Sequence, residues 1–259
     1  MPDYRTAPNR RPRGDNGDTW VDRLICGNLF GHAEYPSCLD GSYRRFRDIV
    51  THPDYPCFFG SQAERRAELL YTYVSVDGRP PLHESLSTFI QLRSHSRFNR
   101  SNLAAFYHPT LSPRTHRELE EWFWGELQML HDQDTSSGTR IAAGTDSAGW
   151  EFEYHGTQMF VVVGSPTYFR RRSRNLGPGV VLLFQPRNVF IDIETGKSIS
   201  MVARAEIRER LKRWDDIRPH PDLQIFGDDA NREWKQYCLP DDDQPKNGAC
   251  PFRARPMSD

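Results

Sequence analysis

Two runs, QMFVVVGS (158–165) and VVLLF (180–184), are almost continuously apolar in a chain whose mean hydropathy is only −0.74. Strands apolar on both sides must be covered on both faces, so a sheet here has to lie between two other layers. WEFEY (150–154) precedes the first run, and the His155-Gly156 pair between them reads as a tight turn. VFIDI (189–193) follows the second run after Gln185-Pro186-Arg187 and reads as another strand. Helical spacing is found over Ser61–Val74, over Leu82–His95 and, near the end, over Ala203–Trp214. The clearest helix is Thr115–His131, where Thr115 and Glu118 form a T-x-x-E capping box behind Pro113. The expected class is α+β: a helical first half, a central, mainly antiparallel sheet, and closing helices. Residues 1–18 read as a flexible, Pro- and Arg-rich arm, 19–259 as a single domain, and 240–249 as an acidic surface loop.

Charge narrows the function classes. Lys plus Arg number 34 against 35 Asp plus Glu, a formal net charge of −1. A non-specific nucleic-acid binder carries a basic excess, so that class ranks low. The only lysines are Lys197, Lys212, Lys235 and Lys246, so arginine, which pairs bidentately with carboxylates, supplies nearly all the positive charge. Aromatics make up 12% of the chain and are expected to dominate the core. No apolar run reaches membrane-spanning length, and the N-terminal segment lacks a secretory apolar region. Five cysteines without a CxxC pair fit a reducing cytoplasm better than a disulfide scaffold.

GxGxxG, GxxxxGK[ST], GxSxG and HExxH are all absent, which removes sequence support for simple NAD, ATP, serine-hydrolase and zincin readings. Other residues carry chemistry. His131 ends the best helix on its apolar face and is followed by Asp132 and Asp134. A histidine so placed can ligate a metal while a carboxylate fixes its ring; its ordinary role is to favour the helix dipole. Arg170, Arg171, Arg172 and Arg174 follow an apolar strand and form an anion site for propionates, phosphates or a carboxylate, or else a solvated loop. Cys57 in YPCFFG and Cys250 in CPF are thiolate candidates for heme, although a buried cysteine is more commonly a small hydrophobe. Glu151 and Glu153 alternate along one strand and would pair with a cation such as a guanidinium if they faced a cavity; on an outer face they are only solvated.

Several segments together resemble the YqcI/YcgG family. They are HPDYPCFFG (52–60), LHDQD (130–134), Trp150-Glu-Phe with Gly156 and Phe160, Ser165-Pro166 with Ser173-Arg174, FQPR (184–187) with Val189-Phe190, EWKQY (233–237) and CPF (250–252). The resemblance runs from about His52 to Phe252. It implies a heme-dependent N-hydroxylase acting on a guanidine nitrogen of L-arginine or an arginine-like amino acid. Such members occur in specialised-metabolite pathways, those to guanitoxin and to the antibiotic D-cycloserine, and in the latter the product is Nω-hydroxy-L-arginine.

On that resemblance, heme b is expected between the Thr115–His131 helix and the sheet, with O2 or peroxide as oxidant and an external electron donor. His131 is the expected axial ligand, with Cys57 and Cys250 as alternatives. Arg170, Arg174 and Arg187 would meet the propionates, and Trp150 and Phe160 would wall the cofactor. Asp132, Asp134, Glu151 or Glu153 would orient the guanidinium. Three other readings stay open: a non-heme iron oxygenase built on His131-x-x-Asp134, a heme sensor or carrier using Cys250-Pro251, and a purely structural protein. The sequence does not fix the oligomeric state; a homodimer is compatible with it.

Overall fold

The computed structural model describes residues 20–31, 35–135, 144–192, 201–225 and 228–253. The expected arm, 1–18, lies outside the described residues. A five-stranded mixed sheet organises the chain in the order β3-β4-β7-β6-β5. Its strands are β3 (Leu69–Val74), β4 (Asn102–Tyr107), β5 (Phe152–Tyr154), β6 (Thr157–Gly164) and β7 (Val181–Pro186). Only β3 and β4 run parallel; the β4–β7, β7–β6 and β6–β5 pairs are antiparallel. A two-stranded hairpin, β1 (Ile25–Cys26) with β2 (Leu29–Phe30), lies outside this sheet.

The α+β class stands, with helices in both halves rather than gathered in the first. They are α1 (Ser37–Val50), α2 (Phe58–Arg65), α3 (Leu82–Leu92), α4 (His116–Gln133), α5 (Arg187–Asp192), α6 (Met201–Trp214) and α7 (Trp234–Tyr237). The first half also supplies β3 and β4, because the single helix expected over Ser61–Val74 divides. α2 stops at Arg65, Ala67 turns the chain with φ of 57°, and LLYTYV continues as β3. A six-residue, mostly apolar run carries no helical period of its own, and its aromatic and β-branched side chains fit a pleated surface. The strand expected over 189–193 is instead covered as far as Asp192 by α5. Pro186, which has no N–H to donate, is the last β7 residue in register, opposite Met159. The turn at His155-Gly156 is observed, with φ of 47° and 70°.

The strongest sequence signal survives intact. Thr115 accepts from the Glu118 N–H at 3.2 Å, and Glu118 accepts from the Thr115 N–H at 3.2 Å, so the capping box closes in both directions. Leu119, Phe123, Leu127 and Leu130 then bury one stripe of α4 completely. With α3 they cover one sheet face, where Leu70, Leu103, Ala105, Val161, Val163, Leu182 and Phe184 point. α1 covers the other face over β3 and β4, packing Phe46 against Tyr71 and Phe106. That cover ends before β6. Val162 and Leu183, directly paired on the second face, are only half-buried although apolar. Among the described residues no helix is long and apolar enough to cross a membrane.

Candidate functional site

The uncovered part of the second face is the floor of a cavity of about 470 Å3, within the size range of small-molecule and cofactor sites. Phe160, Val162 and Leu183 form the floor, α1 contributes Phe46 and Val50, and α6 contributes Ile207 and Leu211. The walls are therefore mainly apolar and aromatic, and they suit a flat hydrophobic ligand.

Cys57 lies in this wall at the N-cap of α2. Its Sγ accepts from the Gly60 N–H at 3.4 Å. The helix N-terminus thus directs an amide N–H at this sulfur. Two residues upstream, the buried Tyr55 donates to the Ser173 carbonyl at 3.1 Å and fixes the approach to α2. Burial pushes the Tyr55 hydroxyl far above its ordinary range, so it stays protonated.

One end of the cavity is polar. Asp215, on the chain just past α6, accepts from the Ser173 N–H at 2.7 Å and the Ser173 hydroxyl at 2.9 Å. Burial raises its carboxyl, and Ser173 and the nearby Arg171 and Arg174 pull it back. Arg171 is 1% exposed and donates to the carbonyls of Pro240, Arg218 and Asp242, so its guanidinium pins the chain segments around it. Burial lowers its pKa. Arg174 donates to the carbonyls of Tyr237 at 3.2 Å and Gln236 at 3.0 Å, tying α7 to the cavity.

Behind Gln236 stands a buried cluster. Arg187 donates through Nε to Glu151 at 2.8 Å, through Nη2 to the other Glu151 oxygen, and through Nη2 to Glu233 at 3.1 Å. Asn231 donates to Glu233 at 2.7 Å. One guanidinium thus serves two carboxylates. Burial lifts Glu151 to about 7, against the pull of Arg187. It raises Glu233 as well, with Arg187 and Arg204 opposing.

The structure gathers some of the expected site residues and separates others. Cys57, Phe160 and Arg174 line the cavity, and Arg187 with Glu151 lies behind its polar end. His131 packs its ring against Phe252 at 5.0 Å, in the core of the opposite sheet face, and does not line the cavity. Asp132 is exposed and accepts from Gln128 at 3.1 Å. Asp134 accepts from the His155 N–H at 2.8 Å, and burial with Asp134 nearby raises the half-buried Glu153. Trp150 is completely buried against Tyr237 and Phe252 in that same core, where its aromatic surface serves packing. Cys250 packs on this core too, its thiol pushed up to about 12 by burial. Arg170 is exposed, with its backbone N–H bonded to Asp241 at 3.1 Å. Among the described residues no group of three or more His, Cys, Asp and Glu side chains could hold a metal ion.

Tyr55, Asp215, Asn231, Glu233 and Gln236 were not singled out by chemistry in the sequence. A signal existed for one of them: EWKQY places Gln236 between Trp234 and Tyr237, a pattern expected of a polar group held inside a core.

The profile of the YqcI/YcgG family matches residues 46–253, a span that includes Cys57, Phe160, Arg174 and Gln236. YqcI of Bacillus subtilis is 29% identical over 205 residues, covering 76% of this chain and 80% of its own. YcgG of the same organism is 37% identical over 134 residues, covering 51% of this chain and 52% of its own. A Streptomyces lavendulae protein that bears the name "Putative N(omega)-hydroxy-L-arginine synthase DcsA" is 29% identical over 231 residues, 84% of this chain and 86% of its own. No solved structure matches the chain.

Proposed function

The chain belongs to the YqcI/YcgG family, and we propose that it is a heme-dependent monooxygenase that hydroxylates a guanidine nitrogen of L-arginine or an arginine-like amino acid. The name of the Streptomyces relative supports the substrate class. The observation that carries the cofactor is the apolar cavity of about 470 Å3 with the Cys57 sulfur at a helix N-terminus in its wall. The donor set fits heme b: a cysteine sulfur in the wall, aromatic and aliphatic walls, and arginines for propionates. Cys57 would hold the iron, Phe160, Val162 and Leu183 would flank the ring, and Arg100, Arg204 and Arg208 at the cavity edge would meet its carboxylates. His131, the other candidate ligand, packs on Phe252 and is not among the residues that line this cavity.

When bound, the heme supplies activation of O2 or peroxide, with electrons from an external donor. The chain's own residues bind and orient. The apolar floor excludes water, which strengthens every polar contact inside. Arg174 adds positive charge at the polar end, where an α-carboxylate is attracted. Asp215 is the carboxylate held at that end, and its bonds to Ser173 keep it in one orientation. Holding the guanidine nitrogen at near-attack distance is the main contribution of such a pocket.

The test is the visible spectrum of the full chain expressed with a heme precursor, recorded oxidised, reduced and with CO. A Soret band with a thiolate-type reduced-CO position in the wild type, shifted in Cys57→Ser but unchanged in His131→Ala, is the expected result. Hydroxylated arginine on addition of substrate, O2 and reductant completes it. A colourless protein after heme reconstitution overturns the cofactor; a heme protein without turnover reduces it to a sensor or carrier.

A further inference from the structure

We propose that the side-chain amide of Gln236 is the guanidinium-recognising group of the cavity, a specificity-determining residue whose carbonyl oxygen accepts N–H bonds from the substrate cation. This rests on the reading above that an arginine-like amino acid enters the cavity.

The Gln236 amide can be oriented in only one way. Its Nε2 faces Asn231 Oδ1 at 3.0 Å, Glu233 Oε2 at 3.4 Å and the Gln224 carbonyl at 3.4 Å. The Asn231 oxygen is itself assigned, because its Nδ2 donates to Glu233 at 2.7 Å. Three acceptors call for the amide nitrogen, so the carbonyl oxygen is turned the other way. That oxygen accepts nothing among the described residues and is not among their sealed, unpaired polar atoms, while the residue itself lines the cavity. A carboxylate on the nitrogen side also polarises the amide and makes its oxygen a better acceptor.

The carboxylates that line the cavity are committed elsewhere. Both Asp215 oxygens are taken by Ser173, and Glu68 lies 4.0 Å from Arg100. Asn102, another amide residue of the cavity lining, has its own Oδ1 sealed in the protein without a hydrogen-bond partner, so the Gln236 oxygen is the accessible amide acceptor. Asn102 stands one position beyond the Leu103–Phe184 register, beside Gln185, whose side chain also lines the cavity. Gln185 is paired with Phe160, whose ring lies 5.3 Å from that of Tyr237, the neighbour of Gln236. The Gln236 oxygen therefore offers the cavity a free acceptor, backed by the two carboxylates that share Arg187. A planar cation with five N–H donors can use this free oxygen, while the α-carboxylate of the same amino acid is left to Arg174.

The experiment is calorimetric titration of the purified full chain with L-arginine and with L-citrulline, which keeps the amino acid but replaces the cation by a neutral urea. The wild type should prefer L-arginine by at least about tenfold, the scale of one charge-assisted hydrogen bond. Gln236→Met should lose most of that preference while keeping its near-UV circular dichroism and Tm. An unchanged preference in the folded variant overturns the proposal, and so does a wild type that binds both ligands alike. The second result needs no variant, so a Gln236→Met chain that does not fold leaves the test intact. Wild-type turnover of L-arginine separates the two readings. Turnover with an unaltered preference in Gln236→Met removes this subsite alone; selective binding without turnover removes the hydroxylase and leaves the subsite.

Discussion

Replacing Arg187 by Met perturbs the cluster behind the cavity with little change in side-chain volume. Arg187 gives two bonds to Glu151 and one to Glu233, and these carboxylates belong to residues 0% and 5% exposed. Without the guanidinium both remain buried, with only Arg204 in reach of Glu233. Removing one partner of a buried ion pair costs about 3–5 kcal/mol, far more than an exposed pair would. The loss should depend on pH. Burial already places Glu151 at about 7 in the wild type, above the ordinary value of 4.5. A carboxyl raised on folding keeps a proton that the unfolded chain has released. Its contribution is therefore fully present below the unfolded pKa and is lost as pH rises through the folded one. Without Arg187 both carboxyls rise further, so the variant is weakest above neutrality. Its loss should be about 3–5 kcal/mol at pH 8 and roughly 1–2 kcal/mol at pH 5. Urea unfolding followed by far-UV circular dichroism at both pH values reads this directly. At pH 8, adding Glu151→Gln to Arg187→Met should restore part of the loss. A deficit under about 1 kcal/mol at pH 8, or one equal at both pH values, would refute the reasoning.

Three further outcomes are expected. Val162→Trp places an indole on the half-buried cavity floor, so it should abolish heme and arginine binding while leaving the Tm within a few degrees; full binding would show that ligands lie elsewhere. Gly179→Ala puts a Cβ 2.6 Å from the Tyr107 carbonyl oxygen, a contact with backbone that cannot rotate away, and should cost about 1–3 kcal/mol in urea unfolding. Thr115→Ala removes the hydroxyl that accepts from the Glu118 N–H and should cost about 1 kcal/mol, with cavity binding unchanged because α4 lies on the other sheet face.

Local chemistry was legible in the sequence wherever it was decided within a few residues. The Thr115–Glu118 capping box, the α4 stripe, the His155-Gly156 turn and the two apolar strands of the sheet all rest on neighbours in the chain. Short apolar runs were not decided locally. LLYTYV became a strand beside β4, and Arg187–Asp192 became a helix once Pro186 ended the ladder, because pairing partners rather than period chose between the two. The candidate site shows the same division. Cys57 and Arg174 stood out by residue type, with His131 first among the candidate ligands. Which of them lines a cavity was decided by packing, which puts Cys57 on the open face, Cys250 on the α3–α4 core and His131 against Phe252. Gln236 is the extreme case. An isolated glutamine has no fixed orientation; it acquires one from Asn231, Glu233 and Gln224, which the folded chain brings around its nitrogen. Capping and periodicity are short-range and can be read from sequence; enclosure of a cavity and orientation of a buried amide depend on contacts between distant segments, which exist only once the sheet has gathered them.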